Sequence, residues 1–285
     1  MHLMRGSGGL ESCSNFYSPD FGFEDGLQPC ADTLPAFVQN LRAQSPQQVI
    51  LRPLREDAPW LPALIQALSA DFSTDLLPVS TNWYLPCAGL SWQSYLAERP
   101  SRLRNTLRRC HSKLKETPGF RIDFILQAGS GFNEGLAAFQ RVYASSWKEA
   151  EPFPDFIPGL CRMTAAQGSL RLAVLHVQGE PAAAQVWFVK NQTASIYKLA
   201  YDARFARLGV GTVLTAALFE HVMSIDGVTE IDFLTGDDAY KSEWMTHRRA
   251  LVALLAFDRH SLGGKLRAAR HFIPRWLKAR IRNPS

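Results

Sequence analysis

The sequence contains no CxxC pair and no Cys/His cluster at zinc-ligand spacing, and its five cysteines, Cys13, Cys30, Cys87, Cys110 and Cys161, lie far apart. This spacing excludes a zinc module and a disulfide framework, and it points to free buried thiols in a reducing cytoplasm, with no metal expected. The opening stretch MHLMRGSGGLESCSN lacks the apolar core of a signal peptide. The longest uncharged apolar run is ALVALLAF, Ala250 to Phe257, which reads as a buried strand and is too short to cross a bilayer. There is no internal repeat, and with 20% charged and 11% aromatic residues the chain fits neither the disordered nor the low-complexity class.

What is present is enough for one large α/β domain or two smaller ones: 285 residues, 46% of them hydrophobic. The formal charge of +5 favours an anionic partner, and it collects in two places, Arg99 to Lys115 and Lys265 to Arg282. Along the chain, a Ser/Gly/Pro-rich lead-in carries one short helical candidate, LPAFVQNLRAQ; QQVILRPL reads as a strand, PWLPALIQALSADF as a helix and NWYLPC as a short strand. The segment from Trp92 to Glu116 has helical spacing of Leu103, Leu107, Cys110 and Leu114 with basic residues between them. FRIDFIL reads as a strand, FNEGLAAFQRVYASSWKE and PDFIPGLCRMTAAQ as helices. SLRLAVLHV, AAAQVWFVKN and ASIYKLAYD follow at short turns and predict an antiparallel meander; after them come a helix, the strand TEIDFLTG, the short helix DAYKSEWM and a last strand.

RLGVGTVLTAALFEHV puts Gly209 and Gly211 in front of a helix whose Val213, Leu214, Ala217, Leu218, Val222 and Ile225 share one face. The first turn from Gly211 offers backbone N–H groups that bind anions, the glycines let that backbone approach a diphosphate, and Arg204 and Arg207 add positive charge upstream. A glycine-eased turn before a core helix is the other reading of the same residues. A P-loop is excluded because no lysine follows Gly211, and a dinucleotide fingerprint because Leu214 stands where a small residue is needed.

The segment ASIYKLAYDARFARLGVGTVLTAALFEHV resembles the pyrophosphate-binding segment of GNAT-type N-acyltransferases. Ala206 occupies the position where that family usually carries Gln or Arg, with Arg207 one step later. IDFLTGDDAYKSEW adds the pattern D-F-x-x-G-x-x-x-Y-K-x-x-W, and with NFYSPDFG, RLRNTLRRCHSKLKE and SSWKEAEPF it resembles the branch related to Fem-type peptidoglycan aminoacyltransferases and the cellulose-biosynthesis-associated, CelD-like acyltransferases. The resemblance covers most of the chain. It implies an α/β fold with a central, mostly antiparallel sheet of splayed strands flanked by helices, preceded by a reduced GNAT-like half. The corresponding division is 1–91 for the lead-in and reduced half, 92–260 for the acyltransferase domain and 261–285 for a basic tail.

The resemblance also implies acyl-CoA as co-substrate, held by Arg204, Arg207, Leu208, Gly209, Val210, Gly211 and Thr212, and a small-molecule amine as acceptor. Lys241 takes the role of oxyanion stabiliser, against the alternative of a solvated surface lysine. Tyr240 is the candidate proton donor to the leaving thiolate, or a half-buried packing group; Asp232 is the candidate base or the group that orients Lys241. If Ile231 and Phe233 are core, strand alternation turns Asp232 to the opposite side. Asp237 and Asp238 read as caps of the short helix, Asp238 alternatively as an acceptor-binding group. Arg104 and Arg108, with Trp147, are the remaining candidates for substrate binding, and a solvated helix face is the equal alternative for the arginines. The tail offers contact with an anionic membrane or packing back on the domain, Pro274 interrupting its helix. The expected activity is cytoplasmic N-acyl transfer; the alternatives are a Fem-type enzyme using charged tRNA, the one nucleic acid considered, and a non-catalytic accessory protein of envelope assembly that retains the fold.

Overall fold

The computed structural model describes residues 1–6, 8–15, 17–23 and 33–282, with side chains described as far as 276; Cys30 lies outside the described residues. The chain forms two compact units, residues 1–82, 235–237 and 248–285 in the first and 83–234 and 238–247 in the second.

The first unit contains the strands β1 (Leu3–Gly6), β2 (Gly9–Ser12) and β3 (Gln48–Arg55), the start of β4 (Phe72–Pro86) and most of β10 (His247–Asp258), in the order β1-β2-β3-β10-β4. The sequence marks only the end of β4 as a strand; the strand is 15 residues long and runs on from the first unit into the second. Helices α1 (Thr33–Ala43) and α2 (Leu61–Ser69) bury Leu34, Val38 and Leu41, and Leu61, Leu64 and Leu68, at the three- and four-residue spacing that makes one helix face. Their partners are Val49, Leu51 and Leu54 of β3 and Val252, Leu254 and Ala256 of β10, every second residue of each strand except across the β3 and β10 bulge, as a pleated strand requires. Helix α9 (Leu262–Arg282) continues through Pro274, contrary to the break its sequence suggests. A proline removes one N–H donor and kinks a helix without having to end it. Within this unit His271 lies 2.7 Å and Arg275 3.6 Å from Asp75, which ties the tail to β4.

The second unit contains α3 (Trp92–Ala97), α4 (Ser101–Lys115), β5 (Arg121–Ile125), α5 (Phe132–Ala144), α6 (Phe156–Ala166), β6 (Leu170–Val177), β7 (Glu180–Lys190), β8 (Thr193–Tyr201), α7 (Val210–Ser224), β9 (Glu230–Thr235) and α8 (Lys241–Trp244). Pro100 divides the predicted basic helix into α3 and α4, because a proline restricts the residue before it and lacks the N–H that would continue the ladder. Strand order is β4-β9-β8-β7-β6-β5. β5 to β8 are antiparallel, as the short turns require; β8 and β9 run parallel. The fold is mixed α/β, a mixed sheet flanked by helices.

Helix α7 packs on β6, β7 and β8 and also on α3 and α4. Cover on two sides explains why its buried set is wider than one stripe, adding Val210, Phe219 and Met223, while Ile225, predicted on the core face, is 73% exposed. Of the thiols, Cys87, Cys110 and Cys161 are buried and free; Cys13 is exposed, which corrects the expectation for that residue. Burial pushes Cys87 up to about 11 and Cys161 to about 12, leaving both as inert thiols at neutral pH.

Phe219 is fully buried amid Trp92, Tyr95, Trp187 and Trp244, its ring centroid 4.9 to 6.3 Å from theirs. Truncating a core phenylalanine costs about 3–5 kcal/mol through lost transfer energy and the cavity it leaves. Phe219→Ala is expected to destabilise the second unit by that amount in urea unfolding followed by tryptophan fluorescence; a loss below about 1 kcal/mol contradicts this packing.

Candidate active site

The parallel pairing of β8 with β9 lasts for three residue pairs, Thr193 with Glu230, Ala194 with Ile231 and Ser195 with Asp232. Beyond it, β8 stays on β7 as far as Tyr201 opposite Ala183. The register of that pair slips once, Val186 facing Lys198 and Trp187 facing Ile196, so Tyr197 is an extra residue in β8. A bulge bends its strand, and this one lies two residues after the last β9 pair. The two parallel strands therefore part, opening a wedge between residues 196–201 and the end of β9.

At the far end of β8 the chain makes a 3₁₀ turn, Ala203–Leu208, and reverses at Gly209, whose φ of +66° suits glycine. A Cβ on Gly209 would lie 2.5 Å from Cys110 Sγ, so the bare backbone also lets α4 pack here. Helix α7 begins at Val210, one residue earlier than the sequence suggests. The first amide bonded within the helix is Val213, donating to Gly209, and the N–H groups of Val210, Gly211 and Thr212 precede it. A Cβ on Gly211 would lie 3.0 Å from the Tyr201 ring, which places this turn directly against the end of β8. Sequence reasoning missed the group that fixes it: Gln185, buried on β7, donates to Thr215 Oγ1 at 2.8 Å and Gly211 O at 3.3 Å and accepts from Trp187 Nε1 at 2.8 Å. Only the structure shows Gln185 facing a helix.

Of the two arginines assigned to this loop, Arg204 is engaged with Asp202 and Glu180, each at 2.9 Å. Arg207 is exposed and makes no ion pair among the described residues. Leu208 is half-buried beside the core.

On the β9 side Asp232, Ile231 and Phe233 are all buried, since β9 has a strand on either side and both of its faces are covered. Asp232 Oδ1 accepts from Leu234 N–H at 2.6 Å and holds Leu234 at φ +56°, a left-handed conformation uncommon for leucine. Its carboxylate thus shapes the end of the strand that leads to α8. Lys241 is 4% exposed, which excludes the solvated-lysine reading. Its Nζ donates to Phe233 O at 3.4 Å, lies 3.5 Å from Asp238 Oδ2 and sits 5.8 Å from the Phe233 ring centre. Burial lowers the Lys241 pKa, a trend that Asp238 and Asp232 oppose and the like charge of Lys148 reinforces. Asp238 therefore pairs with Lys241, and Asp237 with Arg248 at 2.8 Å; neither side chain caps α8, whose N-cap is Tyr240. A helix of a single turn has few free amides to cap, and the two nearby cations hold these carboxylates instead. Tyr240 stands edge-on to Phe233, and burial, then Asp238, raises its pKa, so the phenol keeps its proton at neutral pH.

Helix α8 is held from behind by residues that no motif marks. Tyr95 Oη donates to Trp244 O at 2.6 Å, and the buried Arg99 lies over the Tyr95 ring with Nη1 3.4 Å from the same carbonyl. On the β8 side Trp147 is 57% exposed and its ring centre is 4.5 Å from that of Tyr201. Lys148 follows it, close enough to Lys241, Asp238, Lys198 and Glu151 to feel their charges. Arg104 and Arg108 are not part of this cluster: they line a separate cavity of about 250 Å³ with Trp92, Leu107, His111 and Glu220. Among the described residues no group of His, Cys, Asp or Glu forms a metal site, and no helix is long and apolar enough to cross a membrane.

Residues 101–242 match the family model of the acetyltransferase (GNAT) domain; the fold is GNAT-like and the chain is an acyltransferase. No curated protein sequence matches it. Solved structures share the fold: FemX, at 10% identity and a TM-score of 0.60, over 80% of this chain and 77% of that one; L-PGS from Bacillus licheniformis, at 14% and 0.54, over 86% and 80%; and the DUF2156 domain at the C-terminus of a protein of Agrobacterium fabrum named for lysylphosphatidylglycerol synthesis, at 15% and 0.55, over 82% and 75%.

The depressed Lys241 pKa has a defined consequence for stability. The native state releases this proton at lower pH than the unfolded chain, so protein stability rises with pH from the lowered native value up to about 10.5. Relative to Lys241→Met, which removes the titration, the wild-type protein should gain unfolding free energy as pH rises through that window; an unchanged difference in urea unfolding between pH 7 and pH 10 contradicts a buried ammonium.

Proposed function

We propose that the chain transfers an acyl group from acyl-CoA to the amine of a small acceptor, with Lys241 stabilising the charge that develops on the acyl oxygen. The observation that carries this reading is a buried ammonium on the β9 side of a wedge whose other side ends in a glycine-rich helix N-terminus. The residues suit a coenzyme A thioester: Val210, Gly211 and Thr212 offer amides, and Arg207 a cation without a carboxylate of its own, to a diphosphate. Arg204 is already neutralised and contributes to the shape of the turn rather than to that charge. The carrier supplies an acyl carbon on sulfur: the amine nitrogen bonds to that carbon, the C–S bond breaks, the amine gives up a proton and the sulfur takes one. Lys241 supplies positive charge in a dry setting, where electrostatic stabilisation is strongest. Tyr240, protonated at neutral pH, has the proton for the leaving sulfur, and Asp238, more than half exposed, is the carboxylate open to the incoming amine.

A second reading, an aminoacyl-tRNA donor, is favoured by α4, where Arg102, Arg104, Arg108, Arg109, Lys113 and Lys115 share a helix with no acidic residue. Thermal-shift titrations with CoA, acetyl-CoA, longer acyl-CoAs and tRNA separate the two. Stabilisation by the CoA compounds is expected, and stabilisation by tRNA alone, weakening with salt, would transfer the donor role to tRNA. In the functioning enzyme Lys241→Ala should lower kcat by about a hundredfold or more while donor binding persists. Unchanged turnover removes Lys241 from the mechanism.

A further inference from the structure

Beside this cluster lies a cavity of about 340 Å³ between α5 and α6, walled mainly by apolar groups of Phe139, Ala144, Pro154, Ile157 and Pro158. Gln140, Tyr143, Lys148 and Glu151 supply its polar groups. The volume is at the small end for ligand sites and admits a body the size of a leucine or phenylalanine side chain, not a nucleotide.

The charges at this cavity pair off unevenly. Lys198, from β8, is held by Glu151 at 2.6 Å, and the Tyr143 hydroxyl donates to the same Glu151 oxygen at 2.5 Å. Lys241 has Asp238 at 3.5 Å. Lys148 contacts only an aromatic face, the Trp147 ring at 5.4 Å, and its ammonium has no carboxylate within ion-pair distance among the described residues. It remains solvent-accessible, yet burial beside the cavity and then the like charge of Lys198 lower its pKa, as expected for an ammonium short of a counter-ion.

We infer that Lys148 is a specificity residue that binds the carboxylate of the acceptor, and that the acceptor is a small amino acid whose apolar side chain enters the α5/α6 cavity. Three features set this chemistry. The apolar walls take a hydrocarbon or aromatic group and reject a charged one. The unpaired ammonium takes a single negative charge; a phosphate dianion would also meet the fields of Glu151 and Asp238, both of which act on Lys148. The exposed Asp238 carboxylate, on the Lys241 side of Lys148, attracts the acceptor's ammonium before it is deprotonated for attack. This inference rests on the acyltransferase reading above and names the acceptor class for it.

Calorimetric titration of the protein, without any acyl donor, tests it with three probes: L-phenylalanine, phenethylamine, which lacks the carboxylate, and 3-phenylpropanoate, which lacks the amine. L-Phenylalanine should bind at least about tenfold more tightly than phenethylamine, the usual scale of a charge-assisted pair at a partly open site, and 3-phenylpropanoate should bind detectably. Lys148→Gln should erase the preference, Lys148→Arg should keep most of it, and Ala144→Phe, which fills the cavity, should weaken all three. Equal affinities for L-phenylalanine and phenethylamine, a preference that survives Lys148→Gln, or no binding of either carboxylate overturns the inference. Because no donor is present, a CoA titration that fails while the carboxylate preference holds removes the donor reading alone, and the converse removes only the amino acid acceptor.

Discussion

The parting of β8 from β9 after Ser195 and Asp232 is the constraint on which the rest of the site depends. Two parallel strands that stayed paired would fill the space between them with hydrogen bonds and leave no path into the sheet. The Tyr197 bulge bends β8 while β7 continues to hold it, so the ladder is surrendered on one side only. Everything placed at the wedge is then supported from outside it. Gln185 fixes the first turn of α7 from β7, and Tyr95 of α3 and Arg99, which follows that helix, fix the end of α8. Rigid backing of this kind lets a functional side chain keep one position without making its own strong contacts.

Lys241 shows the energetic side of that arrangement. A buried ammonium is costly unless paired, and the partners of Lys241 include the Phe233 carbonyl at 3.4 Å and the Asp238 carboxylate at 3.5 Å. A structural ion pair in this fold looks different: Arg171 meets Asp226 in a two-point bond at 2.7 and 2.9 Å. The two cations differ in setting: Arg171 is fixed by a bidentate carboxylate, whereas Lys241 is a buried ammonium whose pKa burial lowers.

Much of this was legible in the sequence because it is periodic or carried by short motifs. The meander, the helix after the glycines and the leucine stripe of α4 follow from spacing alone, and the D-F-x-x-G-x-x-x-Y-K pattern led to Lys241. What remained hidden depends on contacts between distant segments. Residue type gave no sign that Arg204 is neutralised by Glu180, 24 positions away, or that Asp232 shapes its own strand end. Alternation alone gave no sign that both faces of β9 are covered, so that Asp232 is buried along with Ile231 and Phe233. Cover by α3 and α4 likewise widened the buried face of α7 beyond a single stripe.

The same contrast governs how charge is divided in the second unit. The six cations of α4 lie on a helix whose apolar stripe, Leu103, Leu107, Cys110 and Leu114, is fully used in the core, so they face outward as a diffuse field. The lysines near the wedge, Lys148 from the segment after α5, Lys198 from β8 and Lys241 from α8, meet three carboxylates, Glu151, Asp232 and Asp238. Diffuse charge attracts anions without selecting among them, whereas interleaved charges of both signs at fixed positions discriminate by where an added charge is placed. A field on one helix and a counted set at the wedge therefore suit different tasks, gathering anionic ligands and choosing among them.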